Sequence, residues 1–232
     1  MPKHSRSFSL ARSARRLPLA VAALALANAA VFAFELALFA AEGESALGEL
    51  FETFGLVPRE LLRGAARPRE APARLWLTPL TAMFLHGGLL HLAGNLLYLW
   101  IFGAAVEELL GHARFALLYA SCGVAAAAVQ VASDPSSFVA TVGASGAVSG
   151  VLGAYAASHP TRRLRLLWPP LQVPAALFFL VWIGLQLLSA LGAERGGAGG
   201  IAWWAHLGGF AAGAALGRSM WVRKPTFPGL RS

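Results

Sequence analysis

Thr141-Val142-Gly143-Ala144-Ser145-Gly146-Ala147-Val148-Ser149-Gly150-Val151-Leu152-Gly153-Ala154-Tyr155-Ala156-Ala157-Ser158 carries no charge and is built mainly from glycine, alanine, serine and valine. A helix this small and this weakly apolar is poorly suited to face lipid. It belongs in the middle of a membrane bundle, walled off by its neighbours. A related stretch follows at Trp203-Trp204-Ala205-His206-Leu207-Gly208-Gly209-Phe210-Ala211-Ala212-Gly213. Ser145 heads the first stretch and His206 the second. Hydrocarbon does not tolerate idle polar groups, so each requires a reason for its place.

The rest of the chain fits a membrane setting. Of its 232 residues 57% are hydrophobic and 13% charged, about half the charge of an ordinary soluble domain. Apolar stretches near bilayer length fall at about 17–40, 88–109, 114–133, 143–158, 171–192 and 202–221. The first has an apolar core of about 24 residues, too long for a signal-peptide core, so an uncleaved helix is expected. The sequence therefore predicts an all-α polytopic membrane protein. Six transmembrane helices (17–221) lie between a basic cytoplasmic N-terminus (1–16) and a cytoplasmic tail (222–232). A long outer loop at 41–87 joins the first two helices, with glutamates and apolar residues interleaved as in short interfacial helices. No tandem repeat is present.

Charge placement sets the orientation. With the N-terminus inside, thirteen of the nineteen Lys and Arg collect on the cytoplasmic side, among them Arg12, Arg15, Arg16, Arg162, Arg163 and Arg165. Eight of the eleven acidic residues fall outside. Trp203 and Trp204 open the last span and Trp221 closes it, about 27 Å apart on a helix. Both termini are expected inside. The net charge of +8 does not indicate nucleic acid, because the basic residues flank apolar spans and form no stripe with aromatics. The arginines at 162, 163 and 165 would touch anionic lipid as a secondary effect.

Composition also narrows the chemistry. Cys122 is the only cysteine, so neither an intrachain disulfide nor a cysteine-rich metal site can form, and an inert packed thiol is expected. Asp134 is the only aspartate, which excludes an aspartyl dyad, and there is no H-E-x-x-H for a zinc protease. No metal is expected, and a His86, His91, His206 site fits helical spacing poorly.

In this topology spans two, four and six all run from outside to inside. His91 and Asn95 fall in the first turns of span two, Ser145 in the first turn of span four and His206 near the first turn of span six. All reach a similar depth in the outer leaflet. A serine hydroxyl is a weak nucleophile until a base accepts its proton. His206 is the histidine placed to serve, and no carboxylate accompanies it, so a dyad is expected rather than a triad. His91, Asn95 and the Ser145 backbone N–H are the candidate donors to a developing oxyanion. Gly143, Gly146, Gly209 and Gly213 mark where the helices around the site are expected to approach closely.

On these motifs the chain resembles the rhomboid family of intramembrane serine proteases from about 17 to 221. Gly143-Ala144-Ser145-Gly146 matches the family's GxSG. Ala205-His206 with Gly209 and Gly213 matches its AHxxGxxxG. His91 and Asn95 match its HxxxN, preceded by His86. Met83 to Gly88 and Val106 to Gly111 are further signatures. The resemblance implies a six-helix bundle and a Ser145–His206 dyad open to water from the outer side. It also implies cleavage of transmembrane proteins, expected to be single-span, that enter laterally between spans five and two. No cofactor is implied. Two positions depart from many members. Trp76 is followed by Leu77 where a Trp-Arg pair is common, with Arg74 before it. Ser149 stands where some members stack a tyrosine on the histidine, so that contact must come from elsewhere or be absent.

Plainer readings stand beside these. A serine in a Gly/Ala-rich helix usually bonds back to its own helix, and Ser149 is a competing nucleophile one turn deeper. GxSxG fails as a hydrolase elbow because Ala147 occupies the last glycine position. His86 is expected to be structural, Glu35 to reach the interface, and Asn28 to tie helices together. The alternative function is a catalytically silent rhomboid-like protein that binds membrane proteins. A transporter would place its polar residues at midplane. Residue usage and the lack of a targeting presequence suggest a bacterial plasma membrane.

Overall fold

Helix α8 (Ser145–Ser158) lies at the centre of the molecule, with every residue from Gly146 to Tyr155 buried. In the computed structural model, which describes residues 17–165, 172–196 and 202–221, the other long helices surround it. These are α1 (Leu19–Glu42), α5 (Leu89–Tyr98), α6 (Ala104–Leu110), α7 (His112–Ser133), α9 (Ala175–Gly196) and α10 (Trp203–Trp221). Helices α5 and α6 form one rod joined through a π turn at Leu99–Gly103. The connection between α1 and α5 holds α2 (Glu44–Phe54), α3 (Pro58–Ala66) and the single turn α4 (Thr78–Thr81), the short helices its patterning predicts.

Burial separates two kinds of helix. Only Val21, Asn28, Phe32 and Glu35 of α1 are buried, and α9 leaves Leu180, Leu185 and Leu188 exposed. Such apolar exposed faces are lipid-facing surface in a membrane protein. Among the described residues four helices are long and apolar enough to cross a bilayer: Leu19–Glu42, Leu89–Leu110, His112–Ser133 and Ala175–Gly192. Helices α8 and α10 are not among them, because one has 14 residues and both are diluted by glycine and alanine. For these two, the expectation of a crossing rests on enclosure rather than hydropathy.

Helix α10 is the main partner of α8, with α7 next. Glycine makes the contact possible. A Cβ at Gly209 would land on the Gly146 carbonyl oxygen, and one at Gly213 on that of Gly150. The two backbones therefore meet without side chains between them, as small-residue membrane interfaces do. Gly150 also accommodates Cys122 of α7, which is fully buried.

The chain departs from the sequence expectation in three places. Span five begins at Ala175 rather than 171. Before it, β1 (Arg163–Arg165) and β2 (Gln172–Pro174) pair antiparallel, with Leu164 opposite Val173. Val173 is half-buried between exposed Gln172 and Pro174, a strand's period rather than a helix's. Glu35 does not reach the interface: it is 2% exposed, and its carboxylate accepts the His86 backbone N–H at 3.0 Å. The irregular segment before α5 leaves that N–H without a helical partner, and a buried donor requires one. Gly143 lies outside the α8–α10 seam and faces the His91 ring of α5 instead. It precedes α8 at φ +121, and its role is described with the site. The expected tails at 1–16 and 222–232 lie outside the described residues.

Helix α1 begins at Pro18, which supplies no side-chain cap. Glu107 of α6 takes that role across the fold, accepting the Ala20 and Val21 N–H groups at 2.8 Å each and also bonding His112. A buried carboxylate at a helix N-terminus satisfies orphan donors and opposes the helix dipole. Glu107→Ala strands two N–H groups, and a loss of about 2–4 kcal/mol is expected. Glu107→Gln, which keeps one acceptor, should cost about half as much. Thermal unfolding in detergent micelles checks this; an unchanged midpoint in Glu107→Ala would refute it.

Candidate active site

Ser145 is the first residue of α8. The segment leading to it is held by an isolated bridge in which Leu56 and Thr141 exchange N–H···O bonds of 3.0 and 2.8 Å. Gly143 then donates its N–H to the Ala82 carbonyl at 2.8 Å. At its φ of +121 a side chain would be strained. A Cβ there would also sit 2.5 Å from His91 Cε1. Glycine is required because the His91 ring lies directly over the backbone two residues before the serine.

His206 falls in the first turn of α10. Its Nε2 lies 2.8 Å from Ser145 Oγ, within hydrogen-bond range of the hydroxyl. Its Nδ1 lies 2.7 Å from Oε1 of Gln186 on α9. Trp203 meets the imidazole edge-on, with centroids 5.9 Å apart at 89°, and Trp182 lies 6.4 Å away at 34°. The ring contact that Ser149 cannot give thus comes from two tryptophans. Ser149 instead donates to the Ser145 carbonyl at 2.6 Å, the back-bonded arrangement typical of a hydroxyl within a helix.

Gln186 was missed in the sequence reading. The signal was present: it is the only amide in the apolar run from Ala175 to Gly192, and an uncompensated polar side chain in a span calls for a partner. Trp182 precedes it by one turn, so both project from one face of α9 toward α10.

Of the other candidates, Asn95 is buried and its amide nitrogen has no acceptor. The Ser145 N–H lies in the first turn of α8, where helix donors lack intrahelical partners. His91 packs against His86 with ring centroids 5.2 Å apart. His86 lies just before α5 and its Nδ1 donates to the Phe84 carbonyl at 3.1 Å. Burial, together with the neighbouring His91, lowers its pKa to about 4 despite that carbonyl, so it is neutral at physiological pH. Both of its observed bonds hold the segment before α5. Among the described residues no three His, Cys, Asp or Glu side chains group as a metal site.

A cavity of about 30 Å³ adjoins Ser145, walled by Met83, Ala126, Gln130, Thr141 and Gly143. That volume holds one or two waters. Gln130 also accepts the Ala205 N–H at 3.3 Å, next to His206.

Fold and site together define a helical membrane protein with a serine–histidine pair held between two glycine-faced helices. Residues 73–223 match the rhomboid domain. The chain belongs to the rhomboid family. It is 36% identical over 145 residues to the rhomboid protease GluP of Bacillus subtilis, covering 61% of this chain and 26% of that protein. It is 31% identical over 178 residues to the rhomboid-type serine protease 2 of Emericella nidulans, covering 76% and 33%. It is 32% identical over 94 residues to the human mitochondrial presenilin-associated rhomboid-like protein, covering 40% and 25%. The chain thus spans a third or less of the length of each of these three relatives.

Proposed function

We propose that the chain is an intramembrane serine endopeptidase that cuts single-span membrane proteins. The observation that carries this reading is the 2.8 Å contact between Ser145 Oγ and His206 Nε2. As Ser145 attacks the scissile carbonyl, its proton passes to His206 Nε2 and an Oγ–C bond forms. The oxyanion receives hydrogen bonds from the Ser145 N–H, the Asn95 amide and His91. His206 then protonates the leaving nitrogen, the C–N bond breaks, and an acyl-enzyme remains. Water from the cavity gives a proton to His206, attacks the ester carbon and releases the product acid, and the proton returns to Ser145. No cofactor enters. Both termini lie in the cytoplasm of a bacterium, with Ser145 in the outer leaflet of its plasma membrane and spans of α1, α5–α6, α7, α8, α9 and α10. The substrate helix unwinds locally, because an intact helix shields its peptide bonds.

Purified protein in detergent, incubated with a model single-span substrate and separately with a fluorophosphonate, tests the reading. Cleavage together with labelling of Ser145 is the expected result. An intact substrate that nonetheless copurifies with the protein would overturn it in favour of a silent binder. Ser149→Ala should leave cleavage and labelling within about twofold of wild type, since its hydroxyl is already engaged by its own helix.

A further inference from the structure

We propose that Gln186 is a positioning residue that fixes the tautomer of His206, so that α9 completes the Ser145–His206 pair. This inference rests on the proteolytic reading above and adds a third member to the site.

Proton counting at the imidazole assigns this role. A neutral imidazole has one N–H and one bare nitrogen. To accept the Ser145 proton, Nε2 must be bare, so the hydrogen must lie on Nδ1. An Nδ1–H buried in a bundle needs an acceptor. The atom 2.7 Å away is the Gln186 carbonyl oxygen, which can only accept. With the amide turned over, its NH2 would donate to Nδ1 and place the hydrogen on Nε2. Ser145 would then receive a proton where it must give one. The orientation of a single amide therefore separates a competent base from an idle one. Among the described residues no carboxylate lies on the ring to do this instead. A neutral glutamine also avoids burying a charge within the bundle. Trp182, on the same face of α9, flanks the ring beside this bond.

The test uses the full chain with Gln186→Leu, which preserves shape without an acceptor, and Gln186→Glu, whose carboxyl oxygen accepts the same proton. In Gln186→Leu, kcat on a single-span substrate and the rate of fluorophosphonate labelling are expected to fall about 10- to 100-fold with KM within about twofold, because the transition state loses an oriented base while the substrate contacts remain. Gln186→Glu should restore most of that loss. Independently of turnover, 15N spectra of histidine-labelled protein read the tautomer directly, with His206→Ala identifying the signal. The Nδ1–H form is expected in wild type and in Gln186→Glu, and a mixture or the Nε2–H form in Gln186→Leu. The inference is overturned if Gln186→Leu keeps the wild-type kcat, or if its tautomer is unchanged. Should the wild-type protein cleave nothing, the proteolytic reading fails, while the spectra still decide the role of Gln186.

Discussion

His206→Ala should lower turnover of a single-span substrate by on the order of 10^4-fold, and Ser145→Ala by a similar factor. Such a factor corresponds to about 5.5 kcal/mol of lost transition-state stabilisation. The size follows from the geometry. Among the described residues Ser145 Oγ has one base within hydrogen-bond range, His206 Nε2 at 2.8 Å, and Ser149 already donates its hydrogen bond to the Ser145 carbonyl. The effects should not add, because the nucleophile without its base is nearly as inert as the base without its nucleophile. The double variant is therefore expected to match the worse single one. Residual activity in Ser145→Ala above that of the double variant would show a second nucleophile and end the assignment. Folding is a separate matter, readable from the unfolding midpoint, since both side chains sit at helix starts, at one end of the α8–α10 seam.

The second large effect is expected at that seam. Gly209→Val should destabilise the protein by about 3 kcal/mol or more, at or beyond the usual range for overpacking. Most overpacked side chains can relax into another rotamer. Here the obstacle is the Gly146 backbone carbonyl, so the helices themselves must move apart. Gly209 follows His206 by three residues and Gly146 follows Ser145 by one, so the displacement acts on the pair directly. A shift of about 1 Å costs on the order of 100-fold in rate. Loss of both midpoint and activity is the expected signature, measured by thermal unfolding and cleavage on one preparation. Gly48→Ala in α2 serves as the control, because nothing lies within 4 Å of the added carbon. Equal behaviour of the two variants would mean that the close approach carries no weight.

Much of this arrangement could be read before any coordinates, for reasons that differ by residue. The all-helical membrane character was legible because long apolar runs between charged connections leave a chain few options in a bilayer. The meeting of Ser145 with His206 was legible because glycines four apart mark where backbones can touch. Glu35 was misjudged because its position near one end of α1 suggested the interface, while its partner is a backbone N–H 51 residues away. Nothing local in a sequence announces a tertiary acceptor of that kind. Glu107 is a similar case, capping a helix 86 residues before it. Gly143 meets both a positive φ and the close His91 ring, and the two demands on a glycine look alike in a string of letters. Gln186 belongs to a third category. Its isolation in an apolar run was visible, but the ring nitrogen that it serves could be found only once α9 and α10 were side by side.

Helix α8 has 14 residues, about 21 Å of rise where the hydrocarbon slab measures about 30 Å. Ser158 at its far end lies level with Leu110 and Gly217, near the ends of α6 and α10, so the deficit falls on the side of Ser145. On the proteolytic reading a substrate must therefore reach about 9 Å below the slab's edge to meet the hydroxyl, so about six residues of its helix must fray before a bond arrives there. Sequences that melt easily near the membrane surface, bearing glycine or other weak helix formers there, are the ones such a depth selects.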